Sequence, residues 1–296
     1  MTNTVSGPGI RLTVRPEEGG RIVSLVGHGQ EWLQRDERPF GGSVFVQPGM
    51  GGWDEVAPTV SPCRVELPGT GPLRMGDHGD LWNRPWDVVP GPGEELLLEI
   101  QSLSLPVTLR RNIRAGPTGI RIDYTVTNRA EVTVPWLWCA HPQLVAPKGT
   151  LLALEGSRPE GDSPLLLGPE GQPLRLGRGD VLDRIEPGRG LKTFVRPDER
   201  VRGARLHRPD RTWLHLSWDP RQLPYLGLWW DHGSCASGRV IGVEPTTGWG
   251  DSLQGAVDLD RVLRLAPGQT ASWRLDVRVG GPSTGTPVPR PQSRGR

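Results

Sequence analysis

Lysine is almost missing from this chain, Lys148 and Lys192 being the only ones, and the other basic residues are arginines scattered through its whole length. With a formal net charge of +2 the sequence offers no electrostatic footprint for nucleic acid or for an anionic membrane. Cysteine is scarce too. Cys63, Cys139 and Cys235 are widely spaced, odd in number and form no CxxC pair, which argues against a disulfide framework and against a zinc site, so no metal is expected. No window approaches the roughly 20 apolar residues of a spanning helix, and residues 1–9 show neither the basic nor the apolar region of a secretory leader. The resulting expectation is a cytoplasmic protein with reduced thiols. Helical periodicity is also hard to find, because 41 glycines and 31 prolines interrupt nearly every window long enough for three turns. Each would cost a helix interior roughly 1–3 kcal/mol.

What is present is alternation with a period of two. Ile120, Ile122, Tyr124 and Val126 face one way, and Arg121, Asp123, Thr125 and Thr127 the other, which describes a half-buried strand. Trp273, Leu275, Val277 and Val279 repeat the pattern, as do Leu96, Leu98 and Ile100. Further strands are expected near residues 10–14, 21–26, 64–67, 108–113, 136–139, 213–218, 225–230, 240–243 and 262–265. Many short strands divided by turn residues predict an all-β fold, a large antiparallel sandwich, and no fixed repeat points to a propeller or solenoid. Residues 142–190, rich in glycine, proline and charge, read as long loops or peripheral hairpins. The domain is expected to span residues 1–279 as a single unit, with residues 280–296 a disordered tail.

Four segments set a titratable group beside tryptophan and proline. They are His78-Gly79-Asp80-Leu81-Trp82-Asn83-Arg84-Pro85-Trp86, Gly51-Gly52-Trp53-Asp54-Glu55-Val56-Ala57-Pro58-Thr59, Trp136-Leu137-Trp138-Cys139-Ala140-His141-Pro142, and Gly242-Val243-Glu244-Pro245-Thr246-Thr247-Gly248-Trp249. Imidazole moves protons near neutral pH, and indole faces stack on the C–H surface of a sugar ring. Strand ends and the loops after them can gather such groups from distant positions.

Taken together these segments resemble the aldose 1-epimerase family, the galactose mutarotase-like proteins. The family's His-Gly segment ending in Pro-Trp is matched by His78-Gly79 through Pro85-Trp86, with Asn83 in place. Its second histidine, after a Tyr-x-Val-x-Asn strand, is matched by Tyr124 to Asn128 followed by His141, and its glutamate before proline by Glu244-Pro245. The resemblance implies a galactose mutarotase-like β-sandwich with its site in a concave face, interconverting the α and β anomers of an aldose without a cofactor. It implies Glu244 as general base, His141 as general acid and His78 as a hydrogen-bond partner near the ring oxygen. The chemistry agrees with that division, since ring opening takes a proton from the C1 hydroxyl and gives one to the ring oxygen. A histidinium with a reference pKa of about 6.5 is a fitting donor. Two departures bear on specificity: Trp82 stands where many members have arginine and Asp80 where an apolar residue is usual. The His-x-x-Phe-Asn pattern of galactose-type members becomes His141-Pro142-Gln143-Leu144, so galactose itself is not implied.

Simpler readings stand beside these. His141 could be a core histidine satisfied by a backbone carbonyl, and Glu244 an exposed strand-end carboxylate. Trp53 and Asp54 are candidate sugar contacts, although the glycine pair before them favours a simple turn, and Trp82, Asn83 and Arg84 are candidates from the first segment. Of Trp229 and Trp230 only one can face a pocket; Trp230, with Asp231 as a hydroxyl ligand, is the candidate taken here. His28, His207 and His215 read as structural. The expected partner is a small-molecule sugar, bound by a monomer or homodimer. Rival readings are a hexose-6-phosphate mutarotase, with Arg74 and Arg84 on the phosphate, and a non-catalytic carbohydrate-binding module.

Overall fold

In the computed structural model, which describes residues 3–91, 93, 95–156, 164–176 and 179–282, the alternating segments pair into two large antiparallel sheets of eleven and eight strands. The strands expected at residues 120–126 and 273–279 are Gly119–Asn128 and Thr270–Gly280, hydrogen-bonded neighbours at the middle of the eight-stranded sheet. Their apolar residues Ile120, Ile122, Tyr124, Trp273, Leu275 and Val277 are buried in a core shared with the eleven-stranded sheet. The all-β sandwich expected from the periodicity is the observed architecture. The expected tail, residues 280–296, lies from residue 283 onward outside the described residues.

Three local expectations need correction. The strand expected at residues 136–139 is broken into Val134–Trp136 and Cys139–Val145, because Thr247 intervenes: its hydroxyl donates to the Trp136 carbonyl and accepts from the Trp138 amide. His141 therefore lies within a strand, not after one. Residues 142–190 are less peripheral than their composition suggests. The segment opens inside a central strand of the larger sheet, supplies the edge strand Leu151–Gly156 of the smaller one, and adds the edge hairpin Leu165–Leu167 and Pro173–Arg175. One short α-helix, Leu253–Asp258, does form, started by the Ser252 hydroxyl accepting from the Gly255 amide.

The sheets are also joined by a buried charge. Glu55, on the inward face of Trp53–Val56, accepts from Arg111 Nη1 (2.9 Å) and the Tyr124 hydroxyl (2.8 Å) of the opposite sheet, and from Trp138 Nε1 (2.8 Å).

Candidate active site

Strand register builds one face of the larger sheet into a site. Cys139 stands opposite Thr246 and Gln143 opposite Gly242, so the residues midway between them, His141 and Glu244, face each other across adjacent strands. Glu244 is also opposite Gly227, Gly227 opposite Phe194, and His141 opposite Asp54. Phe194, Gly227, Glu244, His141 and Asp54 thus form one row, and period two places Lys192, Trp229, Gly242 and Gln143 on the same face in the next. The glycines make the space. A Cβ on Gly242 would lie 2.9 Å from Glu244 Oε1, and one on Gly227 3.1 Å from Oε2.

Above this floor lies a cavity of about 230 Å³ whose walls include His141, Lys192, Trp229, Asp251, Asp77 and His78. Glu244 is buried directly beneath the wall residues: Oε2 is held by the Lys192 ammonium, while Oε1 lies 3.7 Å from His141 Nε2 and has no hydrogen-bond partner among the described residues. Trp229 Nε1 is likewise unpartnered. Lys192 also reaches Asp251, at 3.2 Å. Burial works to raise the Glu244 carboxyl's pKa, but Lys192 and His141 outweigh it and hold the group below its usual range. Burial, with Asp251 and Glu244 opposing it and winning, leaves the Lys192 ammonium firmly charged.

His141 is different. Burial, only partly offset by Glu244, pushes its pKa down to about 4, so the ring is neutral at pH 7 and not the histidinium expected from its reference value. Gln143 Nε2 donates to His141 Nδ1 (3.0 Å), which leaves the ring proton on Nε2.

His78 reaches the cavity from a tight turn. Its backbone sits at φ 56°, in the left-handed region, with its amide donating to the Val60 carbonyl; at the following Gly79 a Cβ would meet the Ala57 carbonyl oxygen at 1.8 Å. The imidazole stacks on Phe45 at a centroid distance of 3.8 Å and its Nδ1 lies 2.8 Å from Asp77 Oδ1. Burial raises the Asp77 carboxyl's pKa, yet the hydrogen bond and charge of His78 bring it below its usual range.

The structure therefore brings His78, His141 and Glu244 together, but not the expected sugar contacts. Asp54 shares the row of His141, yet its carboxylate is taken by Arg21 (2.6 Å) and Arg38 (2.7 Å). Trp53 alternates inward into the core. Trp230 is also inward, its Nε1 donating to the Thr193 hydroxyl, and Trp229 faces the cavity instead. Asp231, near the end of the strand Tyr225–His232, holds the turn that follows by accepting from the Ser234, Cys235 and Ala236 amides. Trp82 and Asn83 brace the segment carrying Phe45: Trp82 packs edge-on against Phe45 and donates to the Asp77 carbonyl, and Asn83 donates to the Gly42 carbonyl. Arg84 turns to the Asp80 and Gln101 carbonyls, away from the cavity. Sequence reasoning missed Lys192, Asp77, Phe45 and Trp229. For Lys192 a signal existed, since it is one of only two lysines and lies on the same strand face as Phe194.

No protein-family model matches the chain, and no curated protein does. Solved structures do. A galactose mutarotase-like protein from Lactobacillus casei superposes with a TM-score of 0.67 at 16% identity, over 95% of this chain and 100% of that one. A galactose mutarotase related enzyme from Lactobacillus acidophilus gives 0.69 at 13%, over 95% and 98%. A galactose mutarotase-like protein from Clostridium acetobutylicum gives 0.69 at 13%, over 94% and 95%. With two antiparallel sheets and near-complete coverage on both sides, this chain has the galactose mutarotase-like β-sandwich fold.

Proposed function

We propose that the protein is an aldose 1-epimerase-type isomerase that interconverts the α and β anomers of an unphosphorylated sugar. The observation that carries this reading is the buried, charged Glu244 with one oxygen unsatisfied, set under two imidazoles that line a cavity of about 230 Å³. That volume is below the roughly 300–1,000 Å³ usual for drug-sized ligands and suits a single sugar ring. Glu244 takes the proton of the C1 hydroxyl, and a histidine gives one to the ring oxygen as the C1–O bond opens. Rotation about C1–C2 and closure with the transfers reversed yield the other anomer. Trp229 supplies a face for the sugar's C–H surface.

The phosphate reading loses its cations. Among the described cavity residues the lysine is engaged by two carboxylates, Arg84 bonds backbone carbonyls elsewhere, and Arg74 is exposed on the small hairpin of Cys63–Val65 with Leu73–Met75. Asp77, Asp251 and Glu244 would repel a phosphate dianion. Purified protein is expected to speed anomer exchange of a free aldose, followed by NMR exchange between anomeric protons, and to leave the matching 6-phosphates at the spontaneous rate. Sugar binding without any acceleration across such a panel would instead mark a carbohydrate-binding module.

A pH profile tests the base. Because Lys192 helps hold Glu244 ionised, activity is present above the carboxyl's lowered pKa and lost as pH falls through it. Lys192→Met removes that charge, so the acid limb of kcat/KM is expected to move to higher pH. An unmoved limb would dissociate Lys192 from the base.

A further inference from the structure

We infer that His78, rather than His141, exchanges the proton with the ring oxygen, and that Asp77 is the positioning residue that fits it for this. The inference rests on the anomer-exchange reading above and assigns a role within it. Both imidazoles line one cavity with centroids 5.4 Å apart and planes nearly perpendicular, but their Nδ1 atoms have opposite partners. An ionised carboxylate can only accept, so the Asp77 contact at 2.8 Å keeps a proton on His78 Nδ1 and makes Nε2 the exchanging atom. That Nε2 has no hydrogen-bond partner among the described residues. It can gain and lose a proton without a change of tautomer, the arrangement by which a buried aspartate serves a catalytic histidine in hydrolytic triads.

His141 has the reverse wiring. The Gln143 amide donates to its Nδ1, so its single proton sits on Nε2, and releasing it would leave an imidazolate. It serves as a fixed hydrogen-bond donor to a sugar oxygen. His78 is moreover held against drift. Phe45 stacks on its ring 9° from parallel, the Phe45 amide donates to Asp77 Oδ2 (2.9 Å), and Arg38 Nη1 donates to the Phe45 carbonyl (3.0 Å). The charged and titratable groups about it are Asp77 from its own turn, His141 and Glu244 from the two central strands, Lys192 from Gly190–Val195, Asp251 ahead of the short helix, and the Cys235 thiol on the cavity wall.

The step balances. Glu244 accepts the O1–H proton, the O1–H electron pair becomes the second C1–O1 bond, and the C1–O5 pair goes to O5. Protonated His78 then delivers its Nε2 proton to O5, ending neutral. On closure O5 attacks C1, its proton returns to His78, and O1 recovers the proton from Glu244.

The test pairs kinetics with NMR. In Asp77→Asn, kcat is expected to fall about tenfold or more with KM within about twofold, in the range usual for impaired acid–base catalysis. The basic limb of its kcat/KM profile moves to lower pH, since the counter-charge that retains the proton is gone, and Asp77→Glu restores most of both. In the wild type, side-chain nitrogen NMR should show the neutral His78 ring carrying its proton on Nδ1 and the His141 ring carrying its proton on Nε2. A basic limb unmoved in Asp77→Asn, or the two tautomers reversed, would overturn the assignment. A wild type that accelerates no aldose would defeat the functional reading instead, while the NMR tautomers would still report whether Asp77 holds the His78 Nδ1 proton.

Discussion

Replacing Glu244 by glutamine is expected to lower kcat for anomer exchange by about 10²–10⁴-fold, the usual contribution of a positioned acid–base group, while sugar binding persists. The substitution keeps the shape that Gly227 and Gly242 leave room for, and an amide oxygen can still accept from Lys192. What is lost is proton affinity, since an amide cannot take the C1 proton. The buried Oε1, without a partner in the unliganded protein, is the acceptor that a seated hydroxyl would satisfy. Lys192 keeps Asp251 at 3.2 Å when the carboxylate charge goes, so the ammonium is not stranded. NMR exchange rates give kcat, and calorimetric titration with the same sugar gives binding. Activity within about threefold of wild type would remove Glu244 from the chemistry, and joint loss of binding and rate would make its role one of sugar recognition.

The sandwich was legible because its signal is local. Alternation in residues 120–126 and 273–279 reports burial on one face, and burial on one face is what a two-sheet core requires. Of the titratable residues of the site, His78, His141 and Glu244 were legible by type and order, whereas Lys192 and Asp77 were not. Nor were the surroundings of the first three, because each depends on register between strands far apart in sequence. Trp229 and Trp230 are indistinguishable as neighbours in a string, and only the pairing of Phe194 with Gly227 and of Gly227 with Glu244 sends Trp229 to the cavity. Asp54 shows the same limit: its face is that of His141, but Arg21 and Arg38 already hold it. The neutral state of His141 follows from burial beneath distant elements, which no spacing of residues in the chain encodes.

Arginine 111 to methionine is expected to cost about 3–5 kcal/mol of stability, the range for breaking a buried ion pair from one side. Arg111 and Glu55 are both fully buried, and the guanidinium also donates to the Gly20 carbonyl and lies 4.9 Å from the Trp86 ring centroid. Its removal leaves the Glu55 carboxylate with only the neutral donors of Tyr124 and Trp138. Pairing Arg111→Met with Glu55→Gln should recover much of the loss, because replacing both members of a buried pair is often close to neutral. The sign of the pH dependence follows from Glu55, whose pKa is already raised by burial against the opposing pull of Arg111. A carboxyl with a raised folded-state pKa contributes stability that is present at low pH and lost as pH rises through that value. Without Arg111 the pKa rises further, so the single variant should lose less at pH 5 than at pH 8. Urea unfolding of both variants at the two pH values measures this. A single-variant loss under about 1 kcal/mol at pH 8 would mean that water reaches Glu55 and that the bridge between the sheets is not the sealed pair its burial describes.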